Sequence, residues 1–158
     1  MEQLNLPPAN LLTTEEDGLT KVFDPCRKKY VKLTPEEYVR QSFLAYLIHY
    51  LGYPIHLIAT EMLVCINGLK QRADIVVYNR QGKPYMIVEC KATNVKITET
   101  VMQQALRYNI RLCVQYVVLT NGLQHYCAEI KNGHRCPSRR ISQIQCSPCP
   151  CGFCRPPG

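Results

Sequence analysis

Hydrophobic and polar positions follow two periods along this chain and predict helices and strands in the order α-β-β-β-α-β-β. The first helix is predicted from Thr34 to about Leu51, because proline and two acids follow this N-cap and apolar residues recur at helical spacing. A second helix is predicted from Thr98 to about Leu112. Strands rich in Val and Ile are predicted at residues 55–66, 72–78, 84–91, 114–120 and 124–130. The expected fold is α/β, with a mixed, mainly antiparallel sheet flanked by helices.

The same patterns predict three regions. Residues 1–20 are expected to form a flexible arm, because Pro7-Pro8 and the acidic stretch Glu15-Glu16-Asp17-Gly18 break any period. Residues 21–130 form the predicted domain, and residues 131–158 a Cys-, Pro- and Arg-rich tail that is expected to be disordered. Neither a secretory signal nor an apolar run of about 20 residues is found. We therefore expect a cytoplasmic protein that is not in a membrane.

Charge adds little to this picture. The net charge is +7, but residues 131–158 hold five Lys and Arg and no acid, so the remainder carries only +2. A basic excess that is confined to a tail is weak support for nucleic-acid binding. Five of the ten cysteines also lie in the last 23 residues, whereas the others occur singly, which favours reduced thiols over a disulfide scaffold.

The tail itself leaves three interpretations open. Two Cys-x-x-Cys pairs, Cys146/Cys149 and Cys151/Cys154, suggest zinc. Only one proline separates the pairs, whereas four-cysteine sites need a longer loop to form a tetrahedron. Disorder is the second interpretation. A shift of reading frame near residue 131 is the third, because the composition changes abruptly there.

Charged residues interrupt two of the predicted strands. Asp74 lies in one, while Glu89 and Lys91 lie two apart in the next and so share a face. A divalent cation would compensate two carboxylates that meet in a partly apolar site, and oxygen ligands select Mg²⁺ or Mn²⁺. Such a site is typical of metal-assisted phosphodiester hydrolysis. The plainer alternative is a salt bridge from Lys91 to one of the two carboxylates.

Four motifs stand in order along about residues 21–130. They are Thr34-Pro35-Glu36-Glu37-Tyr38-Val39-Arg40, Arg72-Ala73-Asp74-Ile75-Val76, Val88-Glu89-Cys90-Lys91-Ala92 and Gln104-Ala105-Leu106-Arg107-Tyr108-Asn109, with Thr120-Asn121-Gly122 besides. In these motifs the chain resembles a known family, the N-terminal nuclease domain of the R subunit of type I restriction enzymes, in its small stand-alone form. This domain belongs to the PD-(D/E)xK nuclease superfamily, and the resemblance implies a restriction-endonuclease-like fold.

The resemblance also implies roles for individual residues. Asp74 and Glu89 would bind Mg²⁺, with Mn²⁺ as a substitute, and Lys91 would be the catalytic lysine. Gln104 and Tyr108 match the family's Gln-x-x-x-Tyr element, which supports the site or touches DNA. A glutamate of the first helix completes the metal site in many relatives. Glu36 is the first choice here and Glu37 the alternative, while first-turn helix-dipole charge explains either residue equally well. One departure is Ala73, which stands where the superfamily has proline.

The expected function is thus a Mg²⁺-dependent DNA endonuclease that needs no small-molecule cofactor. Its partners would be DNA and other restriction-modification subunits. A catalytically inactive DNA- or protein-binding module of the same fold is the main alternative. A metal-binding or redox protein built on the cysteine tail is a third class.

Overall fold

The computed structural model describes residues 2–66, 69–107, 112–131, 134–135 and 139–141. The strands are β1 Thr13–Glu16, β2 Leu19–Asp24, β3 Lys29–Lys32, β4 Ile58–Ile66, β5 Leu69–Tyr78, β6 Pro84–Cys90, β7 Tyr116–Thr120, β8 His125–Lys131, β9 His134–Arg135 and β10 Arg139–Ile141. The helices are α1 Pro35–Ala45 and α2 Glu99–Arg107. A π-helical turn, Tyr46–Tyr50, extends α1, and a 3₁₀ turn, Ile55–Leu57, precedes β4.

The predicted order of elements is confirmed from α1 to β8. The strands from β4 to β10 form one sheet in the order β10-β8-β7-β6-β5-β4, with β9 paired to β8. Only β6 and β7 run parallel among the pairs that the structure describes, and α2 makes the crossover between them. The mixed, mainly antiparallel sheet that was predicted is therefore present.

A helix packs on each face of this sheet. On one face, Val39 and Phe43 of α1 join a buried cluster with Ile75, Val77 and Val88. On the other face, a second cluster holds α2 against the sheet; its buried members are Ala73, Val76, Ile87, Ala105, Val114 and Val117. Residues 75–77 of β5 and 86–88 of β6 are thus buried on both faces of the sheet, which explains the continuous apolar sequence there. Among the described residues, no helix is long and apolar enough to cross a membrane.

The region before α1 differs from the flexible arm that was expected over residues 1–20. β1, β2 and β3 form a separate three-stranded antiparallel sheet. Asp17 and Gly18, with φ of 51° and 69°, turn β1 into β2. Asp-Gly is a hairpin signal, so what was interpreted as a break in the pattern is a turn. Because β2 runs from Leu19 to Asp24, the predicted boundary at residue 20 falls inside a strand.

The first residues are also fixed to the main domain. Leu4 packs in the α1 cluster, and the backbone N–H of Asn5 donates to the carbonyl of Gly122 at 2.8 Å. Gly122 has φ of 83°, and a Cβ there would lie 2.7 Å from Leu4 Cδ2. A larger residue would therefore displace this segment.

Most of the predicted tail lies outside the described residues, including its last five cysteines. Where the structure does describe residues 131–158, it shows backbone pairing. Arg139–Ile141 runs antiparallel to β8, with Arg139 opposite Cys127 and Ile141 opposite His125. The sheet therefore extends beyond the predicted domain end at residue 130.

Candidate functional site

Strand register brings together the charged residues that interrupt β5 and β6. Ile75 pairs with Val88, so the next step along the ladder places Asp74 opposite Glu89. At this step the backbone N–H of Cys90 donates to Asp74 Oδ2 at 2.6 Å. The Asp74 carboxylate therefore takes the place of a backbone acceptor where the two strands separate.

Asp74 is held on its other oxygen by an arginine of α1. Arg40 Nη2 donates to Asp74 Oδ1 at 2.7 Å, and both side chains are less than a tenth exposed. Burial raises the pKa of Asp74, while the Arg40 charge and the Cys90 N–H oppose this shift. The carboxylate is thus desolvated and fixed in orientation.

Glu89 and Lys91 form the second pair of the site. Lys91 Nζ donates to Glu89 Oε1 at 2.7 Å, whereas Glu89 Oε2 is buried and accepts no hydrogen bond from the described residues. Burial, with the Asp74 charge added, raises the pKa of Glu89 to about 7 against the effect of Lys91. Burial alone would lower the pKa of Lys91, but Glu89 outweighs it and raises that pKa. Lys91 is therefore an ammonium ion at neutral pH.

The first turn of α1 supplies two more carboxylates. Thr34 caps the helix as predicted, because its Oγ1 accepts the Glu37 N–H at 3.1 Å. Glu37 is buried and accepts hydrogen bonds from Arg27, Arg40 and Gln41. Glu36, whose side chain is 44% exposed, reaches Arg40 Nη2 at 3.2 Å. Its charge contributes to raising the pKa of both Asp74 and Glu89, so Glu36 faces the site from the solvent side.

Arg40, for which no role was predicted, is the centre of this charge cluster. Arg40 pairs with four carboxylates, those of Glu36, Glu37, Glu61 and Asp74. Its spacing of three and four residues from the two glutamates on α1 was the available signal.

Glu61 of β4 also belongs to this cluster. Its backbone has a left-handed φ of 54°, and it lies opposite Asp74 between the paired positions of β4 and β5. Such a conformation is costly for a non-glycine residue and occurs often at functional sites. It places the Glu61 carboxylate 3.0 Å from Arg40 Nη1 and 3.0 Å from Arg72 Nη1.

The two remaining site predictions concern Gln104 and Tyr108. Gln104 is exposed on α2, and no hydrogen bond within the described residues links it to the carboxylate pair. Tyr108 lies outside the described residues. The roles of both stay predictions.

The donor atoms fit a divalent cation in part. No group of three or more His, Cys, Asp or Glu in the described ranges has an arrangement that would hold a metal ion. Asp74 and Glu89 nevertheless oppose each other as like charges, and Glu89 Oε2 is an unsatisfied buried oxygen. A hard cation bound by carboxylate oxygens relieves both conditions. The donor atoms of the pair are therefore of the kind that Mg²⁺ prefers, and Glu36 is the carboxylate of α1 whose charge acts on both.

A mixed sheet between two helices, with acids on adjoining central strands, defines a restriction-endonuclease-like α/β fold. Residues 35–144 match the family described as type I restriction enzyme R protein N terminus. This chain belongs to that family.

The fold agrees with a solved structure, a fragment assigned to the HsdR subunit of a type I restriction enzyme from Vibrio vulnificus YJ016. The match has a TM-score of 0.50 and 20% sequence identity, and it covers 66% of this chain but only 22% of that chain. Among curated proteins, no match was found. The chain thus spans about a fifth of the HsdR fragment, and the likeness shows the fold.

Proposed function

We propose that this chain hydrolyses phosphodiester bonds of DNA at the site formed by Asp74, Glu89 and Lys91, with Mg²⁺ as cofactor and Mn²⁺ as a substitute. The observation that carries the proposal is the strand register, which sets Asp74 opposite Glu89. Beside this pair, Glu89 Oε2 is buried without a partner and Lys91 is an ammonium ion. Two oxygen donors and one cation on adjoining strands are what phosphodiester hydrolysis needs at a metal site.

Mg²⁺ would be held by Asp74 and Glu89, with Glu36 as a further carboxylate, and would stabilise the charge that develops on the phosphate. The chain's own residues have separate tasks. Asp74 is oriented by Arg40 and the Cys90 N–H, so it presents its carboxylate in one direction. Lys91, fixed by Glu89 at 2.7 Å, donates its remaining N–H groups to a water or to a phosphate oxygen. Its raised pKa supports a role as hydrogen-bond donor and not as base.

The partners in this proposal are DNA and the other subunits of a restriction-modification complex. The family supports them, because it is named after a subunit of a type I restriction enzyme. Gln104 and Tyr108 would support the site or contact DNA from α2 and the residues after it.

Cleavage of supercoiled plasmid DNA tests the proposal. Wild-type protein is expected to nick or linearise the plasmid in Mg²⁺ or Mn²⁺ but not in EDTA. Lys91→Ala and Asp74→Asn are each expected to lose about a hundredfold or more in rate, the usual cost of removing a group that stabilises developing charge. Lys83→Ala is the matched control, because Lys83 is exposed in the turn between β5 and β6. Equal rates for Lys91→Ala and Lys83→Ala would refute the proposed site.

A second candidate function is a module that binds DNA or protein without cutting. The favouring observation is that Arg40 already occupies Asp74 Oδ1. A guanidinium in the place of a metal ion would keep the carboxylates neutralised. This candidate predicts DNA binding that is unaltered in Asp74→Asn, with no cleavage by wild-type protein in either metal.

A further inference from the structure

A buried polar network connects the N-terminal sheet to the charged site. It begins at Asp24, the last residue of β2, which is fully buried. Its carboxylate accepts two backbone N–H bonds, from Cys26 and Arg27, and the Arg27 Nε–H at 2.7 Å. It also accepts hydrogen bonds from Gln41 Nε2 on α1 at 3.1 Å and Thr60 Oγ1 on β4 at 2.9 Å. One carboxylate therefore joins the small sheet to both α1 and the main sheet.

Arg27 extends this network toward the site. Its Nε is bound to Asp24, and its Nη2 lies 3.3 Å from Glu37 Oε1. The other oxygen of Glu37 pairs with Arg40, which in turn holds Asp74. Alternating charges thus lead from Asp24 to Asp74 through Arg27, Glu37 and Arg40.

We propose that Arg27 is a positioning residue for the nuclease site, acting through Glu37 and Arg40 on the Asp74 carboxylate. The inference rests on the proposed function of that site. It also assigns a task to the sheet of β1, β2 and β3, which lies outside the residues 35–144 that match the family.

The physical basis is that Arg40 has several competing partners. Its guanidinium is shared among four carboxylates, so small changes at one of them redistribute the others. With Arg27 present, Glu37 is clamped from two sides and has one orientation toward Arg40. Without Arg27, Glu37 Oε1 keeps only the Gln41 amide at 2.9 Å as a partner. Glu37 and Arg40 then gain freedom, and Asp74 loses its fixed direction.

Hydrogen exchange at two neighbouring backbone amides tests this without any activity measurement. The Cys90 N–H donates to Asp74 Oδ2, whereas the Lys91 N–H donates to the Thr120 carbonyl at 2.8 Å. In Arg27→Gln we expect Cys90 to exchange about tenfold faster, the effect of losing roughly one hydrogen bond, while Lys91 keeps its rate. Lys32→Gln removes the same charge from an exposed residue of β3 and is expected to change neither amide.

Other outcomes of this experiment are equally informative. Equal acceleration of both amides would mean that Arg27 serves global stability only, and it would overturn the inference. No acceleration at Cys90 would overturn it as well. Arg27→Lys provides a conservative variant, because one ammonium keeps the charge but cannot reach Asp24 and Glu37 as a planar fork does. Its Cys90 rate is expected between those of the wild type and Arg27→Gln.

DNA cleavage gives an independent readout. We expect Arg27→Gln to lower kcat about tenfold or more with an unchanged KM, because misplacement of a reacting group affects the chemical step. In an Arg40→Gln background, the same change is expected to have little further effect, since Arg27 acts through Arg40. If the effects of Arg27→Gln and Arg40→Gln on kcat multiply in the double variant, the inference is contradicted, while the proposed nuclease function still stands. If the wild type cuts no DNA, the proposed function fails, and the amide experiment still decides whether Arg27 positions Asp74.

Discussion

Replacing Glu89 by glutamine is expected to stabilise the metal-free protein while abolishing its proposed activity. Glu89 has a side chain only 12% exposed and one buried oxygen without a partner. Its carboxylate also faces the Asp74 charge. Glutamine keeps the shape and the acceptor for Lys91 but removes the buried charge. Such a gain in stability is expected where a buried charge serves the proposed metal site and not the fold.

The size of the effect follows from the pKa of Glu89. The folded-state pKa of about 7 lies above the ordinary value of 4.5. The contribution of protonated Glu89 to the free energy of unfolding is therefore fully present below pH 4.5. It is lost as pH rises through about 7, because the folded state must then ionise a buried group. At about 1.4 kcal/mol per pKa unit, the ionised carboxylate costs about 3 kcal/mol at pH 8. Glu89→Gln should recover about 2 to 3 kcal/mol there and less than about 1 kcal/mol at pH 5.

Urea unfolding in EDTA at pH 5 and pH 8 measures this difference. Glu2→Gln, the same substitution at an exposed N-terminal residue, is the control and should show no gain at either pH. Adding Mg²⁺ at pH 8 should then stabilise the wild type by about 2 to 3 kcal/mol at a concentration near 100 Kd, but not Glu89→Gln. The reasoning is refuted if Glu89→Gln matches the wild type at pH 8, or if its gain is equal at both pH values.

Three further predictions concern how the site is supported. Thr34→Ala removes the acceptor of the Glu37 N–H and should cost about 1 kcal/mol, seen as a fall of about 2 to 4 °C in Tm; an unchanged Tm would mean that the cap is not needed. Asp24→Ala removes the buried acceptor of the Cys26 and Arg27 N–H groups, the Arg27 Nε–H and the Thr60 hydroxyl, and should cost about 3 to 5 kcal/mol in urea unfolding, whereas a loss below about 1 kcal/mol would show that the N-terminal sheet is only loosely attached. Burial lowers the pKa of His125 below 6.5, so its stability contribution is present above pH 6.5 and is lost as pH falls through the folded-state pKa. The wild type should therefore lose more stability than His125→Gln between pH 7 and pH 5 in urea unfolding, and parallel pH profiles would contradict this.

Local periodicity was sufficient to predict the main domain. β5 and β6 are apolar on both faces, so they were found as strands, and Thr34 was found as a cap because its signal is contained in four consecutive residues. The position of Asp74 opposite Glu89 was a hypothesis until the pairing of Ile75 with Val88 fixed the register. Register depends on the turn between the strands and on packing with both helices, and neither is contained in a strand's own sequence.

The N-terminal sheet and Arg40 were missed for different reasons. The strands β1 and β3 have four residues each, too short for a period to be recognised. An arginine on a surface helix is ordinarily solvated, and the burial of Arg40 depends on carboxylates that two other strands, β4 and β5, bring to it. Glu61 on β4 is one of these, and its left-handed backbone has no signature in the residue type. Charge clusters of this kind join residues that are distant in the sequence, so tertiary packing determines them and local sequence patterns do not predict them.

The arrangement of charges explains how so many acids coexist in one place without a metal ion. The carboxylates of Glu36, Glu37, Glu61 and Asp74 all share Arg40, and Glu89 has Lys91. Arg27 also pairs with Glu37, and Arg72 with Glu61, so four cations offset five acids in the folded protein. The remaining negative charge is concentrated at Glu89 Oε2. This is the one buried carboxylate oxygen of the group that accepts no hydrogen bond from the described residues. The proposed divalent cation would supply the missing positive charge there without breaking the contacts that orient Asp74 Oδ2 and Lys91. Arg40 thus stabilises the carboxylates of the metal-free site, while Glu89 Oε2 provides the oxygen at which the proposed cation would bind.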